Sequence, residues 1–222
     1  MNRWIGMPLA IAAVWVGEAC SSTPTMPDGT GNGLLSWDRE PPADARHVAQ
    51  VPDWTAGDRY TFRRGGIVEL DFRVAKTDGG YELRPVDGGL AMQFDPELAM
   101  IGQRDTGERP DPRAAKEFAP ADPLFHWPLW VGKRWTVSTL RKQPGRPPLP
   151  LEVSYEVESF ESCKVPAGEF DTYRIRRSAT IAGQREDVLE RTSLYWYAPA
   201  AGIYVRQLAS STLVELKSFQ RQ

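Results

Sequence analysis

The sequence predicts an all-β fold: a mainly antiparallel sheet, arranged as an open barrel or a sandwich, behind a disordered N-terminal tether. Three observations carry this reading. Apolar residues recur with period two, tight-turn chemistry punctuates the runs, and no stretch sustains a helical period over ten residues or more. In "IVELDFRV" (67–74), Val68, Leu70, Phe72 and Val74 share one face, against Ile67 and Glu69. In "LEVSYEV" (151–157), Leu151, Val153, Tyr155 and Val157 share one face, with Glu152, Ser154 and Glu156 opposite. Such alternation marks antiparallel strands with one face on a core and one in water. "TDGG" (77–80) and "VDGG" (86–89) supply Asp and Gly, which tolerate the positive φ of tight turns. They bracket a short strand at 81–85. "DPRAAKEF" (111–118) has room for one exposed helical turn or two.

Composition agrees. A chain of 222 residues fits one large or two small domains and buries a sizeable core. Hydrophobic residues make up 41%, charged residues 25%, and the formal net charge is −2, so no basic excess points to nucleic acid. Nineteen Gly, 19 Pro and 8 Trp favour strands and turns over long helices.

Residues 1–19 read as a signal rather than as part of the fold. "MNR" is a short cationic start, and "WIGMPLAIAAVWVG" is an apolar run of 14 residues. A span of the bilayer takes about 20 residues, so this run suits a secretory signal. It ends at "GEAC" and resembles a bacterial lipoprotein signal, in which cleavage precedes a cysteine that is then lipidated. That resemblance implies lipidation of Cys20. Gly17 stands where such signals carry a large aliphatic residue, and Glu18 where they carry a small one. The alternative is an ordinary signal peptide with an incidental Cys20. Residues 20–51, opening "CSSTPTMPDGTGNG", have the Pro, Gly, Ser and Thr of a flexible tether. With Cys20 lipidated, the other cysteine, Cys163, has no partner in the chain, and alternation places it among core residues as a small buried thiol.

The hairpin at "VPAGEF" (165–170) has Pro166 to set φ, and Gly168 to take a left-handed place. A three-residue loop then pairs Val165 with Glu169 and sets Glu158 opposite Arg176. Two further stretches echo each other. "WTAGDRYTFR" (54–63) and "WVGKRWTVS" (130–138) both read Gly, charge, Arg, aromatic, Thr. In each, Gly57 or Gly132 turns the chain into a first strand, and a Trp beside it caps the core. The echo predicts two related β halves, 52–105 and 124–222, joined by a loop at 106–123. It also predicts that Tyr60 and Trp135, each three residues after its Gly, are buried on equivalent faces.

In the second half, "FHWPLWVGKRW" (125–135), "VPAGEF" (165–170) and "YAPAAG" (197–202) resemble a group of uncharacterised secreted proteins and lipoproteins of Gram-negative bacteria. The resemblance covers roughly residues 124–219. It implies an envelope location and a mostly antiparallel β fold, and it brings no activity.

Chemical motifs are sparse. The two histidines, His47 and His126, lie far apart, and there is no HExxH pair, GxSxG elbow, phosphate-cradling glycine loop or CxxC pair. Nothing in the sequence points to a catalytic residue, a metal or a cofactor. "YWY" (195–197) sends Trp196 to one face and Tyr195 and Tyr197 to the other. With Trp130 they form the candidate ligand- or partner-binding set; the alternative is that both faces are covered. The expected function is a non-catalytic envelope lipoprotein that binds a partner protein or an apolar ligand. It would be lipid-anchored at the periplasmic face of the outer membrane, because Ser21 follows the cysteine, or else soluble in the periplasm. The alternatives are a structural or assembly lipoprotein without a small-molecule site, and an enzyme of unknown class.

Overall fold

The structure is a computed structural model that describes residues 34–36, 40–45, 47–182 and 191–222. The expected signal at 1–19, Cys20 and the tether up to residue 33 lie outside the described residues. Seven strands come first: β1 (Leu34–Ser36), β2 (Arg59–Arg64), β3 (Val68–Thr77), β4 (Gly80–Pro85), β5 (Leu90–Phe94), β6 (Met100–Asp105) and β7 (Lys116–Asp122). Six follow: β8 (Arg134–Gln143), β9 (Arg146–Val165), β10 (Gly168–Ile181), β11 (Arg191–Ala198), β12 (Ile203–Ala209) and β13 (Thr212–Gln220). The expected helical turn is a 3-10 turn at Pro112–Ala114, capped by the Asp111 side chain.

From β2 onward each strand pairs antiparallel with its sequence neighbour, and β13 pairs back with β2. The result is a closed, twelve-stranded up-and-down barrel, which leaves no sheet edge open among those strands. The anticipated halves are therefore two runs of six strands, β2–β7 and β8–β13, in one barrel. Part of the expected connecting loop is β7, which completes the first run. Where β7 and β8 splay apart, β1 pairs with β8, Leu34 opposite Val137 and Ser36 opposite Trp135. The tether is thus engaged before residue 51. His47 stacks on Phe160 at 3.9 Å, and Ala49 and Leu129 exchange backbone hydrogen bonds.

The echo is structural. Gly57 and Gly132 both take positive φ, +103° and +93°, where a Cβ is strained. Gly57 N–H donates to Val74 O and Val74 N–H to Asp58 O; Gly132 N–H donates to Val157 O and Val157 N–H to Lys133 O. Tyr60 then pairs with Phe72, and Trp135 with Tyr155. Both rings are 0% exposed. The charged residue after each glycine, Asp58 or Lys133, is buried in both copies and used differently. Asp58 accepts from Thr55 N–H and Gln222 N–H, whereas Lys133 Nζ donates to Pro128 O and lies 4.4 Å over the Trp130 ring.

The hairpin register corrects the sequence reading. Gly168 pairs with Val165, so the loop is the two residues Pro166 and Ala167, and a bulge between Arg174 and Ile175 then moves Arg176 opposite Glu156. Glu158 sits at the bulge and pairs with two cations, Arg174 (2.9 Å) and Arg176. The attraction survives; the facing Cα pair does not. A bulge re-aims side chains in this way.

The buried faces meet in one core that includes Tyr60, Phe62, Val74, Leu83, Trp135, Val153, Tyr173, Ile175 and Leu216. The opposite faces carry exposed Arg59, Asp71, Arg73, Ser138, Glu152 and Ser154. This polarity is the reverse of a membrane-spanning barrel, whose outside is apolar and whose interior is polar. At the end where β2 and β8 begin, indole and phenol groups tie the connections down. Trp54 Nε1 donates to Gly202 O (2.8 Å), Trp135 Nε1 to Pro123 O (2.8 Å), Trp127 Nε1 to Glu97 O (2.9 Å) and Tyr60 OH to Ala201 O (3.2 Å). The other end carries the tight β2–β3, β4–β5 and β12–β13 hairpins.

Burial of phenols makes the barrel sensitive to alkali. Tyr60, Tyr155, Tyr173, Tyr195, Tyr197 and Tyr204 all have pKa values raised by burial, Tyr173 up to about 12. A raised folded-state value means that the unfolded chain loses the proton first. Stability therefore holds below about pH 10 and falls as pH rises towards 12. We expect ionisation of these six phenols and loss of β circular dichroism to rise together over that window; these phenolates forming in a fully folded barrel would contradict this.

Candidate functional site

Two places in the barrel bring polar chemistry together. The first is an internal cluster on β7, β9, β10, β11 and β12. Arg177 Nη2 donates to Asp122 Oδ2 (2.6 Å), Tyr155 OH donates to Asp122 Oδ1, Arg177 Nε donates to Tyr155 OH (3.2 Å), and Gln207 Nε2 donates to Tyr195 OH (3.1 Å). Burial, then the Asp122 charge, pushes the Tyr155 phenol well above its ordinary range. Burial would lower the Arg177 value, but Tyr155 and Asp122 more than offset it and hold the guanidinium charged. These groups satisfy one another, as buried polar networks must. Neither Asp122 nor Arg177 carries a sequence signal: one lies in "PADP" and the other in a basic run.

The second place is a cleft of about 460 Å³ at the Trp-rich end, between the 95–99 turn, the end of β7 and the 123–127 segment. Pro120, Ala121, Pro123, Phe125, Trp127 and Val137 give it an apolar wall, while Asp95, Glu97 and His126 supply polar groups. Trp127 is held by its indole bond to Glu97 O and by ring contacts to Phe125 and Tyr197, both at 5.3 Å. Asp95 Oδ1 accepts from Ala99 N–H at 2.8 Å, and burial raises the Asp95 carboxyl pKa against that bond. An apolar wall with a few fixed polar groups is the usual make-up of a binding cleft. The 125–127 stretch was visible in the sequence as a motif, but Asp95 and Glu97 were not.

The residues picked from the sequence do not meet in one site. Trp130 is 2% exposed and lies under Lys133, and Tyr197 is 1% exposed in the core, so neither ring faces solvent. Tyr195 faces Arg177 and Gln207 on the inner network. Trp196, on the opposite face as expected, donates from Nε1 to Glu161 Oε1 (2.8 Å) and stacks with Arg206 at 5.6 Å. Both faces of "YWY" are covered, so its aromatic run is accounted for by packing. Cys163 is buried and its thiol pKa is raised by that burial. Among the described residues no three His, Cys, Asp or Glu side chains are grouped to hold a metal ion.

No protein family and no curated protein matches the sequence. Among solved structures, the hypothetical lipoprotein YmcC of Escherichia coli K12 aligns at 12% identity and a TM-score of 0.46, covering 78% of this chain and 89% of its own. A candidate lipoprotein of Parabacteroides distasonis aligns at 11% identity and 0.40, over 79% of this chain and all of its own. An exported protein with a YmcC-like fold from Bacteroides fragilis aligns at 15% identity and 0.38, over 78% of this chain and all of its own.

Proposed function

We propose that the protein is a non-catalytic, lipid-anchored envelope protein that binds an apolar segment of a partner protein in the cleft at the Trp-rich end. The cleft walled by Phe125, Trp127, Pro120 and Pro123 is the observation that carries the reading. It is open to one side, which suits an extended segment better than an enclosed small ligand, and Asp95 and Glu97 at its border favour a segment bearing a cation. The lipid anchor rests on "GEAC" and Ser21–Ser22 at the end of the signal. The outer membrane is the proposed location because Ser21 follows Cys20. Support for a non-catalytic role comes from the inner network, where Asp122, Tyr155 and Arg177 are spent on one another rather than presented to a substrate.

The test is site-specific photo-crosslinking in cells. A photoreactive residue at Ala121, inside the cleft, should give one discrete adduct, whereas the same residue at exposed Asp71 on the outer face of β3 should not. Filling the cleft by a second change, Val137→Trp, should abolish the adduct. No adduct at Ala121, or the same adducts from both positions, overturns the reading.

A further inference from the structure

Large apolar side chains stand in water at the tips of three neighbouring hairpins. Ile67 is 87% exposed in the β2–β3 turn and Val86 is 60% exposed in the β4–β5 turn. Val68, Leu90 and Leu213 are exposed beside them, Leu213 at the β12–β13 turn. Gly65 N–H donates to Leu213 O at 2.8 Å, which ties two of the tips together. The fold gains little from Ile67 and Val86, because most of each side chain is left uncovered. Clustered apolar surface on one end of a domain marks a contact with something apolar.

The direction of the chain says what that contact is. β2 and β8 run the same way, from the Trp-rich end to the hairpin end, because six antiparallel steps separate them. β1 is antiparallel to β8, with Leu34 opposite Val137 and Ser36 opposite Trp135. Followed backwards from Leu34, the chain therefore points to the hairpin end. Six residues of β8 (143 − 137) separate that level from the β8–β9 turn, about 20 Å of strand. Fourteen residues (34 − 20) separate Leu34 from Cys20, a reach of at most about 50 Å. A lipid on Cys20 is then close enough for the hairpin end to touch the bilayer. The same end carries Arg64 and, across the mouth, Lys116, Arg141 and Arg146, none with a carboxylate within ion-pair distance among the described residues. Burial and the two nearby guanidiniums lower the Lys116 pKa, as expected where cations gather without partners.

We propose that the hairpin end is a membrane-seating surface. Ile67, Val86 and Leu213 enter the headgroup–acyl boundary, and Arg64 lies at the level of anionic headgroups. The barrel stands on this end, and the Trp-rich cleft faces away from the membrane. The orientation rests on the lipid-anchor reading for the source of the tether; the surface itself does not.

Vesicle flotation of the mature chain with Cys20→Ser, which carries no lipid, separates the two. The probe is a vesicle of phosphatidylethanolamine and phosphatidylglycerol. The unlipidated chain should float with it, more weakly on phosphatidylcholine alone, and Ile67→Asp with Val86→Asp should lower partitioning about tenfold. Both positions are exposed turn sites, so thermal unfolding should stay unchanged in the double variant. A Cys20→Ser chain with intact tips that stays with the soluble fraction, or a double variant in that background that floats equally well, overturns the proposal. So does self-association through the tips in place of flotation, read by sedimentation. Failure of the anchor reading would show elsewhere, as absence of palmitate incorporation at Cys20.

Discussion

Replacing Arg177 by Met will destabilise the barrel by about 3–5 kcal/mol, the cost of leaving one member of a buried ion pair alone. The Asp122 side chain keeps only 8% of its surface in water and that of Arg177 only 17%, with 2.6 Å between Nη2 and Oδ2. Without the guanidinium, Asp122 retains the Tyr155 hydroxyl as its donor, which is too little to solvate a buried carboxylate. The midpoint of thermal unfolding should fall on the order of 10 °C for a barrel of this size. Arg177→Met with Asp122→Leu should recover most of the loss, because the pair is then removed together and its desolvation cost disappears. Chemical denaturation of the two singles and the double closes the cycle. A single variant within about 1 kcal/mol of wild type would mean that water reaches the pair and solvates Asp122.

That network also marks where sequence reading stopped. The strands were legible because their apolar and polar faces alternate locally: β3 and β9 could be read from Leu70, Phe72 and Val74, and from Val153, Tyr155 and Val157. β7 was not, since "KEFAPAD" has little alternation and Pro120 argues against a strand, yet pairing with β6 and β8 holds it in the sheet. The hairpin register missed by one residue because Gly168 joined the ladder instead of the loop, and a bulge at Glu158 shifted it again. Closure of the barrel is a property of β13 meeting β2, more than 140 residues away, and no local pattern encodes it. Asp122 and Arg177, 55 residues apart, are hidden from each other for the same reason. The partners that cover "YWY", Glu161, Arg206, Gln207 and Arg177, come from three other strands, so the sequence leaves open whether its faces are covered. The echo was legible because glycine geometry and aromatic spacing are local, and both copies use them alike.

The largest effect tied to that echo is expected at Trp135. Truncation to Ala should cost about 3–5 kcal/mol. Burying an aromatic ring takes about 150–250 Å² from water, an upper bound of roughly 4–6 kcal/mol. Trp135 also stacks on Tyr155 at 5.0 Å and 10°, and its indole N–H satisfies Pro123 O. Tyr60 holds the equivalent place with different neighbours, the Trp54 ring at 6.3 Å and Ala201 O through its hydroxyl. Tyr60→Ala should therefore cost a similar amount by the same cavity argument, and Tyr60→Phe only about 0.5–1.5 kcal/mol, the worth of one hydrogen bond. The two copies should part company when combined with Arg177→Met. Trp135 touches Tyr155, which bonds both Asp122 and Arg177, so that double variant should fall short of additivity by about 0.5–3 kcal/mol. Tyr60 shares none of these partners, and its combination with Arg177→Met should be additive within about 0.5 kcal/mol. Equal coupling at both positions would mean that the barrel transmits strain around its whole core.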